Sequence, residues 1–396
     1  MKVTCQVVTV PSVDTAGTTI LLSLETKKYL LGNVGEGIQR ALLQRKIKTG
    51  RINDLFLSGK TEYRNVGGLL GLILTLADQE SARGADYETR RLEAVERVRA
   101  YAEGRGGGGT APNIPEPYDK KALNIHGNDN LIHTMGTTRS FVFRTSMTAN
   151  FNEIEDDFVD ELLRVHPMKI YPEGFVPNPN DTSSSTDLSG MALAGGRKRS
   201  FDGEPITQVT RGQILRSVVR DMFNSSWTMD TTMPEDEIPP HVDNPNPSAI
   251  SGPPKQVRAP WPASMVNRLP RTKPSLASLS YYVTLHPHRG RFLPQVAKQL
   301  GVKPGPEFRK LTDGQSVTTD DGRIVTPEEC MEPPKPGKKV LVLDIPDITY
   351  VEPLLLRDEL QDDNLEGTVF WLLGSEVAKD ERIWERIRKW KDATVR

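Results

Sequence analysis

The chain has 396 residues, with 51 Lys and Arg against 52 Asp and Glu and a formal net charge of −1. That length suits two ordinary domains, or one large domain with insertions. The near-zero charge means that any nucleic-acid role must rest on a local basic patch. Two cysteines, Cys5 and Cys330, exclude a disulfide scaffold and fit a reducing compartment. No apolar run of about 18 residues is present to span a bilayer. A first strand beginning at Val3 leaves no room for a cleavable leader, so an intracellular protein with no membrane partner is expected.

In chain order, residues 3–10, 18–24 and 55–57 read as short β-branched or apolar strands broken by turn residues. Residues 68–76 read as an apolar helix and 87–101 as a separate, charged amphipathic one. Residues 104–117, GRGGGGTAPNIPEP, form a break that holds neither a helix nor a central strand. Two strands are expected next, at 122–126 and 141–145, with a polar turn or helix between them. A longer break follows, from about 177 to 262, rich in Pro and Ser; such composition cannot bury enough apolar surface to offset its chain entropy. Within it, 212–229 has helical spacing at Ile214, Val218 and Met222 and should dock on the folded body. Strands at 280–285, 339–344 and 368–373 and helices at 293–300 and 380–390 complete the pattern. Strands flanked by packed helices make an α/β layered fold the expected class, divided as 1–175, an insertion at 176–264, and 265–396.

Familiar catalytic patterns are missing. There is no Gly-x-Ser-x-Gly elbow, and the glycines at 106–109 have no preceding strand and no Gly-Lys-Ser/Thr ending. His126 and His133 lie seven apart without a nearby Cys or Asp cluster and read as structural. His286 and His288 suit phosphate or backbone contacts better than a metal, and His166 and His241 carry no signal. Between His286 and Lys310, in contrast, six basic residues face one acid, Glu307. These are Arg289, Arg291, Lys298, Lys303, Arg309 and Lys310, with Gly301 closing a short helix and the prolines around Gly305 stiffening the turn beyond it. The functional reading is a rigid basic projection suited to an A-form phosphate backbone; the plain alternative is a solvated charged loop. The run Arg197-Lys198-Arg199 reads as linker, with nuclear import as the other reading.

Four segments in order carry a family resemblance: LLGNVGEGIQRALLQRKI (30–47), INDLFLSGKTEYRNVGGLLGLILTL (52–76), LNIHGNDNLIHTMGTTRSFVFR (123–144), and a stretch from 285 to 329 around Gly305-Pro306. Together they resemble the amino-terminal half of the long, two-lobed, fungal-like form of tRNase Z, the endonuclease that trims 3′ trailers from precursor tRNA. The resemblance covers 3–165 and about 211–390. It implies a degenerate metallo-β-lactamase αββα sandwich with a flexible arm at about 286–336 that grips the tRNA elbow. It also implies a carboxy-terminal half, in the same or a separate chain, that carries zinc and cleaves. On that reading the 396 residues are a fragment or a separate subunit, with nucleus and mitochondrion as the implied compartments.

The family's zinc run, His-x-His-x-Asp-His after a strand, falls here on Gly-Lys-Thr-Glu-Tyr-Arg-Asn at 59–65. Its ligand positions become Gly59, Thr61, Tyr63 and Arg64, none of them a zinc ligand in this chemistry, and Lys60 and Arg64 would repel a cation. The segment Arg271-Thr272-Lys273-Pro274 has no histidine, and Asp344 lacks the flanking Gly and Thr of the active pattern. The turn Gly35, Glu36, Gly37 and Gln39 remains as a motif remnant; in catalytic relatives its carboxylate supports the metal, and its plain reading is fold architecture. A chain without catalytic residues or cofactor, binding precursor tRNA for a zinc-bearing partner half, is therefore expected. The alternative is a structural partner that never touches RNA. Trp384 and Trp390 are expected to be exposed for an interface.

Overall fold

The computed structural model describes residues 3–103, 105, 113–144, 148–176, 211–239, 242, 255–287, 290–319, 321–333, 336–362, 365–390 and 394–395. The glycine run at 106–109, the basic triplet at 197–199, and His241, His288 and Arg289 lie outside them. Alternation of side chains places two sheets face to face. The first holds β1 (Thr4–Thr9), β2 (Thr19–Ser23), β3 (Lys28–Gly32), β4 (Ile52–Leu57), β5 (Leu123–Gly127) and β6 (Ala149–Glu153), neighbouring in that order. β1 to β3 pair antiparallel and β3 to β6 parallel. Helices α1 (Ile38–Gln44), α2 (Tyr63–Val66), α3 (Leu69–Ala102), α4 (Leu131–Gly136) and α5 (Arg211–Phe223) belong to this half.

The second sheet contains β7 (Phe158–Val159) and β8 (Leu163–Ile170). A two-stranded ribbon of β9 (Thr232–Pro234) and β10 (Gln256–Arg258) precedes its central strand β11 (Ser278–Leu285). Next come α6 (Pro294–Gln299), α7 (Pro306–Thr312) and the small hairpin β12 (Val317–Thr318) and β13 (Ile324–Val325). Then follow β14 (Lys339–Ile345), α8 (Val351–Leu355), β15 (Gly367–Leu373), α9 (Glu381–Lys389) and β16 (Thr394–Val395). The sheet order is β16-β15-β14-β11-β8-β7. In β11, Leu279, Tyr281, Val283 and Leu285 face the first sheet, whose Ile20, Leu22, Tyr29, Leu31 and Phe56 meet them. The opposite parity of β14, Leu341 and Leu343, packs instead on α8 and α9. β14 is thus buried on both faces and reads as a continuous apolar run. Leu55, Leu57 and Ile125 face outward onto α3, α4 and α5. The result is an αββα sandwich, as the resemblance implies. No helix among the described residues is long and apolar enough to cross a membrane.

Several expectations change. The two helices expected at 68–76 and 87–101 are one 34-residue helix. The residues between them are mostly good helix formers, and Gly84, which costs about 1 kcal/mol relative to Ala, is tolerated there. Buried Glu80 locks the junction: it pairs with Arg83 at 2.7 Å and accepts from the Tyr118 hydroxyl at 2.7 Å and the Lys121 N–H at 3.1 Å. The strand expected at 141–145 is a turn and extended chain through Arg144, and pairing starts only at Ala149. In the insertion, α5 buries Leu215, Val218, Met222 and Phe223 in the core of the first sheet, and Ile214 is buried too. The ribbon β9–β10 and the packed Trp261 and Ala263 add order that composition alone does not signal. Trp384 is exposed, but Trp390 is buried, its indole N–H donating to the Asp362 carbonyl at 2.9 Å.

A polar network closes the end of the sandwich opposite the β4 terminus. Lys27 sits between Asp54 at 2.8 Å and Asp160 at 2.7 Å, and Tyr29 donates to Asp160 at 2.6 Å. Nearby, His126 stacks on Phe56 with centroids 4.7 Å apart and meets Phe158 edge-on. Its Nε2 has no hydrogen-bond partner, and Asp54 stands 4.0 Å away. Burial pushes the imidazole pKa down from 6.5 to about 4, against the smaller upward pull of Asp54.

Above pH 6.5 this group is neutral whether the chain is folded or not. As the pH falls toward 4 the unfolded chain takes up a proton that the folded one refuses, so stability is lost, roughly 3 kcal/mol in all. His126→Phe keeps the stack and should remove that share of acid sensitivity. Urea unfolding of both proteins at pH 7 and pH 4.5 checks it: an equal acid-induced loss in both would refute the assignment.

Candidate nucleic-acid interface

The sheets are joined where β3, β4, β5 and β14 end. Asp344 is buried there, and its Oδ2 accepts from the Ser58 hydroxyl at 2.7 Å and from Asn33 Nδ2 at 3.1 Å. Its main chain is held as well: the N–H donates to Ser280 Oγ at 3.0 Å, and its carbonyl accepts from Ser278 Oγ at 2.8 Å. Gly59 exchanges main-chain bonds with Leu279 across the gap, at 2.8 and 3.2 Å. A Cβ at Gly59, whose φ is +75°, would lie 2.9 Å from the Asp344 carboxylate. Asn128 completes the joint, donating to the carbonyls of Gly59 and Ala277 at 2.9 and 2.7 Å. Burial raises the Asp344 pKa, opposed by Ser58, Asn33 and the charge of Arg64.

Zinc does not fit this donor set. The expected ligand positions hold no imidazole: Gly59 is main chain packed against Asp344, and the Tyr63 hydroxyl donates to Glu36 at 3.1 Å on the surface. Arg64 reaches toward the Ala16 carbonyl. Lys60 lies over the Tyr350 ring, 4.9 Å from its centroid. The segment through Thr272 and Lys273 is tied to Asn130 instead. Among the described residues, no group of three or more His, Cys, Asp or Glu is placed to hold a metal. Nothing in the sequence signals that Asn33 and Ser58 take the carboxylate, because both lie almost 300 residues or more from Asp344.

The motif remnant is set by close backbone approach. Gly37, at φ +87°, opens α1, and Gly35 lies against the Arg64 carbonyl. Gln39 ties α1 to α3 through the Gly71 carbonyl and the Thr75 hydroxyl. Glu36, Gly37 and Gln39 line a surface cleft of about 620 Å³ together with residues 12–16. Of the other histidines, His133 is in α4. His166 is wedged between Asp157 at 2.5 Å and Glu359 at 3.0 Å, partners that sequence spacing does not reveal. His286 Nε2 makes a backbone contact, 2.8 Å from the Asp160 carbonyl.

That contact roots a separate small body. Between β11 and β14 the chain folds around its own core of Ala297, Val302, Leu311, Val317, Val325 and Cys330, with Phe292 and Phe308 edge to face at 5.1 Å. α6 starts at Pro294 and stops at Gly301, whose φ is +82°. Pro306, read from sequence as a turn stiffener, instead opens α7. Arg291, Lys298, Lys303, Gly305, Arg309 and Lys310 are all exposed. The one acid of that run, Glu307, accepts from the Lys303 main-chain N–H at 3.0 Å. Gly305 has φ +121° and open space where a side chain would stand, so its backbone is approachable from that side. Six exposed positions on a unit with a fixed core can meet a polyanion without refolding.

Comparison with known proteins bears on this arrangement. The family model described as tRNase Z endonuclease matches residues 6–68. Ribonuclease Z of Saccharomyces cerevisiae is 29% identical over 95% of this chain and 35% of the relative. Ribonuclease Z 1 of Schizosaccharomyces pombe is 24% identical over 95% of this chain and 44% of its own length. Human zinc phosphodiesterase ELAC protein 2 is 23% identical over 88% of this chain and 32% of its own length. The crystal structure of a long form RNase Z from yeast superposes with a TM-score of 0.53 at 21% identity, covering 98% of this chain and 35% of that one. The chain thus spans less than half the length of each of these relatives.

Removing the carboxylate at the joint should be costly. Asp344→Ala leaves the buried Ser58 hydroxyl without its acceptor and takes one of three from Asn33 Nδ2, a loss of about 1–3 kcal/mol measurable by urea unfolding. Equimolar zinc should leave the melting temperature of the unaltered chain where it is; a rise would contradict the donor-set argument.

Proposed function

Starting from the homology of this chain to yeast ribonuclease Z and the tRNase Z family, we propose that it is the substrate-binding half of a tRNA 3′-end-processing endonuclease. The reading rests on the exposed basic residues between Arg291 and Lys310 of the arm, a unit built on a core of its own. Arg291, Lys298, Lys303, Arg309 and Lys310 neutralise phosphates of a folded precursor tRNA, and the open main chain at Gly305 lets the backbone come close. Arg289, outside the described residues, belongs to the same basic run. An A-form helix is read largely by shape and phosphate position, which asks for a firm, cationic, sequence-blind surface.

Cleavage on this reading belongs to a second, zinc-bearing half, in the same or a separate chain. Zinc bound in that half would supply an acidified water and a Lewis acid for the phosphodiester. The residues of the present chain hold and orient the RNA. The αββα body, built from 1–175 and 265–396 around the intervening insertion, fixes where the arm stands, through the His286–Asp160 contact and the Lys27 network beneath it.

Reversing charge at Arg291, Lys298 and Arg309 should leave the circular-dichroism melt unchanged and weaken binding of a precursor-tRNA transcript by tenfold or more. The slope of log affinity against log salt should shrink by about three, one per lost phosphate contact. Binding and slope equal to those of the unaltered chain would instead support a purely structural partner.

A further inference from the structure

The arm is only part of a longer charge asymmetry. Residues 244–306 contain nine Lys and Arg and no Asp or Glu, in a chain whose total charge is −1. The part of this run before β11 crosses the outer surface of α4. Arg139 clamps it at one end, donating to the carbonyls of Val266 and Asn267 at 2.8 and 2.7 Å. Asn130 holds the other end, donating to the Lys273 carbonyl at 2.8 Å. Between the clamps Leu269 is packed against Gly136, so Arg268 and Arg271 are left on the exposed side. Neither makes an ion pair with a carboxylate among the described residues.

Further cations adjoin this strip from α5. Burial lowers the pKa of His133, and the charges of Arg211 and Arg139 lower it further, although its ring is bonded to the Pro270 carbonyl. Arg216, exposed on α5, lies near Glu153. The neighbouring acids have partners of their own, Glu153 facing Arg216 as well. Asp129 pairs with Lys169 at 2.6 Å and accepts from Ser275 at 2.8 Å. Glu153 accepts from the Ile132 N–H at 3.2 Å.

We infer that Arg268, Arg271, Lys273, Arg211 and Arg216 form a second phosphate-contacting surface for the same RNA that the arm grips, an inference that rests on the function proposed above. The strip precedes β11 and the arm follows it. Eight strand residues at about 3.4 Å each set the two roughly 27 Å apart, at opposite ends of the sandwich. A lone nucleotide cannot reach both; a folded transcript can. Clamped backbone with free guanidinium heads matches recognition by charge rather than by base sequence.

The test uses the full chain and a folded precursor-tRNA transcript, with polyglutamate as a phosphate-free polyanion. Arg268→Gln with Arg271→Gln should weaken transcript binding about tenfold at roughly 0.1 M salt and reduce the salt slope by about two. Arg268→Lys with Arg271→Lys keeps the charges and should keep the slope, which separates lost charge from disturbed packing. Unchanged binding and slope in the glutamine variant, while the arm variant loses both, would overturn the second surface and leave the proposed function standing. No transcript binding by the unaltered chain would remove both. Displacement of the transcript by polyglutamate as readily as by unlabelled RNA would assign the strip to an acidic protein instead.

Discussion

A single carboxylate, Asp344, determines how the two sheets meet. In a dry interior an ionised group is tolerated only with hydrogen-bond partners around it. Here the partners are neutral: one hydroxyl and one amide from the first sheet. Because they arise at the ends of β3 and β4 while the carboxylate arises from β14, satisfying it pins one sheet to the other. Gly59 follows from the same constraint, since any side chain there would collide with the carboxylate or with Asn65. An end of the sandwich closed in this way offers a carboxylate already held by neutral donors, with no imidazole beside it.

The surface is shaped by where charge has been left unbalanced. Overall the acids and bases nearly cancel, and many exposed pairs such as Arg90 with Asp86 and Arg99 with Glu103 cancel locally along α3. Such pairs add little stability, but they make the long helix electrostatically quiet. The acid-free run stands against this background, because attraction to a polyanion grows with uncancelled charge and is screened within about 10 Å at ordinary salt. Separation of the two kinds of surface is what allows a nearly neutral protein to present a cationic face.

Strand identity was legible in part of both sheets, but β3, β6 and β8 carried no strand reading although β3 is largely buried and β6 and β8 alternate for part of their length. β14 and β15 announce themselves as apolar runs, and the alternation of β11 is plain. In the body between β11 and β14, Gly301 marked the end of α6, although the two prolines flanking Gly305 disguised α7 as a turn. Continuity of α3 was hidden because the middle of the helix is polar and carries Gly84; its integrity depends on Tyr118 and Lys121 returning to Glu80, a tertiary effect. Residues 141–145 have strand-like composition, yet the Arg144 N–H goes to the Met222 carbonyl on the insertion helix, so pairing waits until Ala149. The identities at 59–65 show that no imidazole stands there, but not what holds Asp344, since Asn33 and Ser58 meet it only after both sheets have formed.

The arm core has one further consequence. Nine apolar side chains, six buried and three partly so, enclose it, and a body of that size is marginal by itself. Its two ends are tethered to adjacent antiparallel strands, β11 and β14, which shortens the loop that must close and lowers its entropic cost. On the function proposed above, apparent affinity would scale with the fraction of arms that are folded at any instant. On that same proposal, a lesion at Cys330 or Phe292 would weaken RNA binding while the sandwich melts at its usual temperature, so affinity and global stability would drift apart.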